Sequence, residues 1–175
     1  GCSGSAAALR AKALGMDVIF YDPLKPDGHD KALGIRRVDT LDELLRQSHV
    51  VSMHCPLTPD TRGVINAETI AKMPRGSYLV NTARGAVVDT SAIPAAIASG
   101  QLAGAGIDVL ATEPPPDNDP LLRAWRDPSH LAYHRVIVNP HAAFYSEEGL
   151  LDMRMKGAKA VQNALLGRPL LNVVN

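Results

Sequence analysis

Short apolar runs alternate along this chain with longer stretches in which apolar residues recur every three or four positions. The runs at residues 17–21, 50–54, 77–81, 104–108 and 135–139 predict buried parallel strands, with a weaker one at 35–38. Helices are predicted between them. Residues 5–14 are Ala-rich and stop at Gly15; residues 41–48 follow Thr40 as N-cap, with Glu43 completing a capping box. Residues 67–73 follow Asn66 as N-cap; residues 90–99 carry Pro94 near their start and end at Gly100. The last helix spans 146–166 and is stopped by Gly167 and Pro169. Strand and helix in alternation predict an α/β fold, a doubly wound parallel sheet with helices on both faces. Residues 114–134, rich in Pro, Asp and His, read as a long surface loop of the kind that often carries function.

Composition narrows the function classes. The hydrophobic share is 46% and the charged share 21%, ordinary for a soluble domain. Net charge is zero and the pI is about 7.2, which speaks against nucleic-acid or membrane-surface partners. Two cysteines, Cys2 and Cys55, are too few for a disulfide framework and point to a reducing, cytoplasmic setting. No apolar run approaches the roughly 18 residues of a membrane span, and no signal peptide is visible. His29, His49, His130 and His134 have no partners at metal-ligand spacing, so no metal is expected; His54 ends a strand and reads as structural.

The chain opens Gly1-Cys2-Ser3-Gly4, directly ahead of a helix. These glycines match the second and third positions of the dinucleotide fingerprint, one admitting a pyrophosphate to the backbone and one letting helix and strand pack closely. A helix N-terminus there offers N–H groups to an anion. Asp22 follows about 18 residues after Gly4, at a strand end, where an acid accepts hydrogen bonds from ribose hydroxyls and repels a 2′-phosphate. The alternative is a plain turn Asp before Pro23. In this register the fingerprint's first glycine and its strand are missing, so the segments at 17–21 and 50–54 are expected not to pair directly.

Three residues lie just beyond strand ends, where open α/β sheets bind ligands: Arg84, Glu113 and His141. Reduction of a 2-oxo acid needs a carboxylate clamp, a hydride donor and a proton donor. A guanidinium grips a carboxylate bidentately, imidazole titrates near neutrality, and a neighbouring carboxylate orients it. Each residue alone has a duller reading: a solvated Arg, a loop Glu, a structural His.

The order of these motifs resembles the D-isomer-specific 2-hydroxyacid dehydrogenases, and most closely the C-terminal-binding-protein branch of corepressors. The carrying segments are Gly1-Cys2-Ser3-Gly4, Ala8-Leu9-Arg10-Ala11-Lys12-Ala13, Phe20-Tyr21-Asp22-Pro23, His54-Cys55-Pro56-Leu57-Thr58, Val80-Asn81-Thr82-Ala83-Arg84-Gly85, Ile107-Asp108-Val109 and Pro140-His141-Ala142-Ala143-Phe144-Tyr145-Ser146-Glu147. The resemblance implies a Rossmann NAD-binding domain over residues 1–150, and a helix and tail over 151–175 leading toward a substrate domain. It implies Arg84 on the substrate carboxylate, His141 as proton donor and Glu113 as its partner. Asp108 would hydrogen-bond the nicotinamide carboxamide. Thr82 and Ala83 would line the nicotinamide side. The loop from Cys55 through Pro56 to Thr61 would border the adenosine end, with Cys55 no nucleophile. Phe144 stands where the corepressors carry Trp, and the stretch between Glu113 and His141 is longer than theirs. The final helix is expected to be amphipathic, with core packing as its default role. The expected function is hydride transfer between NAD and a small D-2-hydroxy or 2-oxo acid, in a homodimer. The alternative is an NAD-responsive binding protein with little turnover.

Overall fold

The alternation predicted from the sequence is present in the computed structural model, which describes residues 1–171 and 173. Strands β1 (Ile19–Phe20) and β2 (Arg36–Arg37) form one parallel ladder; β3 (Val50–Met53), β4 (Ser77–Asn81), β5 (Leu102–Ile107) and β6 (Val136–Val138) form a second, in that order. Among the described residues no ladder joins β1 to β3, as expected. Helix α1 (Cys2–Ala13) precedes β1, and Gly15 beyond it takes the left-handed φ of 86° that ends such a helix cheaply.

The sheet register levels one edge of the molecule. Asn81 pairs with Ile107, and Ile107 with Val138, so the segments leaving β4, β5 and β6 emerge side by side. Below that edge, the row Val51, Leu79, Ala105 and Val136 faces a core that includes Leu45, Ile93, Ile97, Leu102 and Ile107. Helices α5 (Ile93–Ala98) and α7 (Ala132–Arg135) pack on β5 from this side. The opposite row leaves Val50, Tyr78 and Ile137 exposed, so burial on both faces of the strands, expected from their composition, holds for one face only. Period-two alternation, BeB-like along β4, is the signature of a sheet covered on one side.

Local capping follows the sequence closely. Thr40 Oγ1 accepts from the Glu43 N–H at 3.1 Å at the start of α3 (Leu41–Gln47). The Glu43 carboxylate, however, accepts from the Asp39 N–H, closing the box one residue upstream of Thr40. The full reciprocal box belongs to α4 (Ala67–Ala71), where Asn66 Oδ1 takes the Thr69 N–H and Thr69 Oγ1 takes the Asn66 N–H. A short helix over His29–Leu33, α2, was not expected; the left-handed Gly28 and Gly34 bracket it.

Two expectations are corrected. Residues 114–134 are not a structureless loop. They contain α6 (Pro120–Arg126) and lead into α7, and Leu121, Leu122 and Ala132 are buried. Asp119 caps the Leu122 N–H at 3.0 Å with Pro120 in the first helical turn, so the segment supplies core. The last helix, α8 (Glu147–Leu165), lies where it was predicted, with Ser146 as its N-cap, but has no buried residue; Leu151, Met153, Val161 and Leu165 are all exposed. The chain divides into two units, Gly1–His141 and Ala142–Asn175, and α8 belongs to the second.

Candidate active site

Each of the three candidate catalytic residues is carried past the levelled sheet edge by a different strand. Asn81, the last residue of β4 and fully buried, holds the turn that follows: its Oδ1 accepts from the Ala83 N–H at 3.1 Å, and its Nδ2 donates to the Arg84 carbonyl at 3.0 Å. Arg84 then stands exposed, its guanidinium donating to the Ala83 carbonyl at 2.7 Å. Beyond β5, the Asp108 N–H bonds the Asn81 carbonyl at 3.0 Å, and the chain loops to Glu113. Beyond β6, the His141 N–H donates to the Asp108 carbonyl at 2.8 Å.

The structure brings Glu113 and His141 together. Glu113 Oε2 lies 2.7 Å from His141 Nδ1, and Glu113 Oε1 accepts from the Leu110 N–H, also at 2.7 Å. The bond to His141 first, and the Leu110 N–H second, hold the Glu113 carboxyl below its ordinary range. A carboxylate ionised at neutral pH is only an acceptor, so Nδ1 carries the proton of this contact. His141 is also the one non-glycine residue with positive φ, 55°, among the described residues. A left-handed backbone costs an L-residue about 1–2 kcal/mol, a strain that tends to be kept where function needs a side chain aimed.

The cofactor candidates fall on two neighbouring features. Gly1 caps α1, whose first turn holds no acidic residue, so its N–H groups meet an anion without competition. The segment expected ahead of the helix is its first turn, only Gly1 lying outside it, and the Gly1 nitrogen lies 3.8 Å from Asp22 Oδ2, which places the acid beyond β1 beside the helix start. Asp22 also fills the turn role that its sequence allowed, its Oδ1 accepting from the Leu24 N–H at 3.1 Å. Cys2 and Ser3 follow exposed in the first turn of the helix. A Cβ on Gly4 would approach His54 Cβ to 3.0 Å, so the third fingerprint glycine does bring helix and strand close. A helix N-terminus without acidic residues, with a carboxylate beside it, fits a dinucleotide.

The 55–61 loop is pinned by Thr61, whose Oγ1 donates to the Pro56 carbonyl at 2.7 Å and accepts from the Thr58 N–H at 2.8 Å. Cys55 is half-buried against the core; burial pushes its thiol up, and the Asp22 carboxylate adds to the effect, which suits an inert thiol and not a nucleophile. Thr82 is exposed, Ala83 half-buried and Asp108 buried beside the β4 turn. Phe144 lies in the second unit, exposed.

Sequence reasoning did not single out Asn81 or Gly85 as parts of the site. Both stood only in a segment that carries the family resemblance, Asn81 also as the last residue of a predicted strand. The zero exposure and two turn bonds of Asn81 become visible only when β4 is placed.

Known proteins are similar to this chain in sequence and fold. The model of the D-isomer specific 2-hydroxyacid dehydrogenase NAD binding domain matches residues 1–143. C-terminal-binding protein 1 of Caenorhabditis elegans is 37% identical over 172 residues, covering 96% of this chain and 22% of its own. The glyoxylate reductase of Korarchaeum cryptofilum is 42% identical over 145 residues, covering 83% of this chain and 41% of its own. A solved structure of a D-lactate dehydrogenase from Treponema pallidum superposes with a TM-score of 0.87 at 35% identity, over all of this chain and 53% of that one. The chain thus spans less than half the length of these curated relatives and about half of that structure. With its parallel sheet, its glycine-capped first helix and its match over residues 1–143, the chain belongs to the D-isomer-specific 2-hydroxyacid dehydrogenase family, those residues matching that family's NAD-binding domain.

Proposed function

We propose that the full-length protein reduces a small 2-oxo acid to a D-2-hydroxy acid, with NADH as the reductant, and catalyses the reverse oxidation. The observation that carries this reading is the 2.7 Å contact of Glu113 with His141 Nδ1 at the sheet edge from which Arg84 also projects. When bound, NADH supplies a hydride to the substrate's carbonyl carbon. Residues Gly1 to Gly4 and Asp22 would hold its pyrophosphate and ribose. Cys55, Pro56 and Thr61 would border the adenosine, and Thr82, Ala83 and Asp108 the nicotinamide side.

The chain's own groups do the rest. Arg84 leaves its contact with the Ala83 carbonyl to grip the substrate carboxylate bidentately, fixing the carbonyl for attack. His141 delivers the proton to the carbonyl oxygen as negative charge develops there. Because Glu113 occupies Nδ1, that transfer is assigned to Nε2, on the side of the ring away from Glu113. Glu113 compensates the imidazolium before transfer and keeps the ring's tautomer fixed afterwards. The relatives that carry the same reading by name are a glyoxylate reductase and a D-lactate dehydrogenase. A cytoplasmic homodimer accompanies the reading.

The test is steady-state reduction of glyoxylate, pyruvate and hydroxypyruvate by the full-length protein with NADH, beside R84K. Turnover of at least one acid is expected, with R84K raising KM about tenfold or more because an ammonium cannot form the paired contact. NADH binding with no turnover across the panel would refute the enzyme reading and favour a cofactor-responsive binding protein.

A further inference from the structure

Resting on the roles just given to Arg84, Glu113 and His141, we propose that Asn81 and Gly85 are positioning residues that set the separation between the Arg84 turn and the Glu113 loop. Gly85 follows Arg84 immediately and is buried. A Cβ built on it would fall 2.0 Å from both the carbonyl carbon and the oxygen of Leu110, and 2.5 Å from the Ala111 nitrogen. These are backbone atoms, so no side-chain rotation relieves the overlap. Gly106, on β5 of the same sheet, would meet only Val80 methyl groups at 3.9 Å. Glycine at position 85 is therefore demanded by the approach of another main chain.

The chain segment against Gly85 is the one that orients the acid. The Leu110 N–H donates to Glu113 Oε1, and Glu113 Oε2 meets His141. On its other side the Arg84 turn is tied down by Asn81, which holds both the Ala83 N–H and the Arg84 carbonyl. His141 is referred to the same strand end through the Asp108 carbonyl. Arg84, Glu113 and His141 thus share one rigid frame, and the Gly85–Leu110 contact is its thinnest point. Real Cβ atoms essentially never come closer than 3.0 Å, so an alanine at 85 must part the two segments by at least the 1.0 Å between 2.0 and 3.0 Å. A misplacement of about 1 Å in a reacting constellation can cost on the order of 100-fold in rate.

The experiment compares G85A and N81D with wild type in the full-length protein. N81D keeps the acceptor for the Ala83 N–H, sets a carboxylate oxygen against the Arg84 carbonyl in place of the donor, and brings a charge to a fully buried position. Three readouts are taken: NADH affinity by fluorescence titration, kcat and KM for the best 2-oxo acid, and the ¹⁵N shifts of the His141 ring nitrogens. For G85A we expect kcat to fall about 100-fold, NADH affinity held within a few-fold through Gly1 to Gly4 and Asp22, and ring shifts that report a weakened Nδ1 contact. For N81D we expect KM to rise more than kcat falls, since the turn carrying Arg84 loosens while Glu113 and His141 stay paired. A folded G85A with kinetic constants within threefold of wild type and unchanged ring shifts would overturn the proposal. If G85A does not fold, wild-type constants for N81D would overturn it instead. If wild type turns over no acid in the panel, the activity reading fails, and the ring shifts of G85A still decide the positioning role.

Discussion

Replacing Glu113 by Gln separates the proton-transfer role of the pair from its contribution to stability. The carboxylate accepts two bonds at 2.7 Å, from the Leu110 N–H and from His141 Nδ1. An amide offers one acceptor and one donor, so E113Q keeps at most one of them. If the amide oxygen stays on Leu110, its NH2 faces Nδ1 and forces the ring proton onto Nε2. A neutral imidazole must then lose that proton to become an anion, a poor acid near neutral pH. Hydrogen bonds to charged groups contribute about 1.5–3 kcal/mol where water is displaced, as it is under a bound substrate. At about 1.4 kcal/mol per decade, kcat should fall roughly 10- to 150-fold. In the free protein both side chains are more than a third exposed, 37% for Glu113 and 45% for His141, and solvent screens the pair. Its stability contribution is then about 1 kcal/mol or less, a Tm change of at most about 2–4 °C. The pH dependence has a definite sign. His141 and Leu110 depress the Glu113 carboxyl, so the pair persists at and above the ordinary carboxylate value of about 4.3, and is lost only as pH falls through the lower folded value. Wild type should show that acid limb and E113Q should lack it. A pH–rate profile of the full-length enzyme decides the matter: kcat within twofold of wild type and an unchanged acid limb would remove Glu113 from the mechanism.

Two further outcomes are expected. D22A should weaken NADH binding about tenfold or more, through the lost ribose bonds, and relax discrimination against NADPH; calorimetric titration with both cofactors checks this, and a wild type that prefers NADPH would contradict it. L121A, at a fully buried position of α6, should destabilise the protein by about 2–4 kcal/mol in denaturant unfolding, whereas a loss under about 0.5 kcal/mol would restore residues 114–134 to surface-loop status.

Much of the fold and site could be read from residue order alone. The β-branched runs and the Thr40 and Asn66 caps set the element sequence, because each is a local hydrogen-bonding or packing preference within a few residues. Glycine spacing with Asp22, and Arg84, Glu113 and His141 at successive strand ends, pointed to dinucleotide and 2-oxo acid chemistry because open parallel sheets bind ligands at those ends. What misled was equally physical. Prolines and aspartates at residues 114–134 signal breaks, yet Asp119 and Pro120 together start a helix, and only packing buries Leu121 and Leu122. The apolar stripe of α8 promised burial that is not found, because periodicity states which face is apolar but not what covers it. The 2.7 Å Glu113–His141 contact and the approach of Leu110 to Gly85 connect segments 25 or more residues apart. No local preference encodes such distances. The register of β4, β5 and β6 decides them, and that register exists only once the sheet is formed.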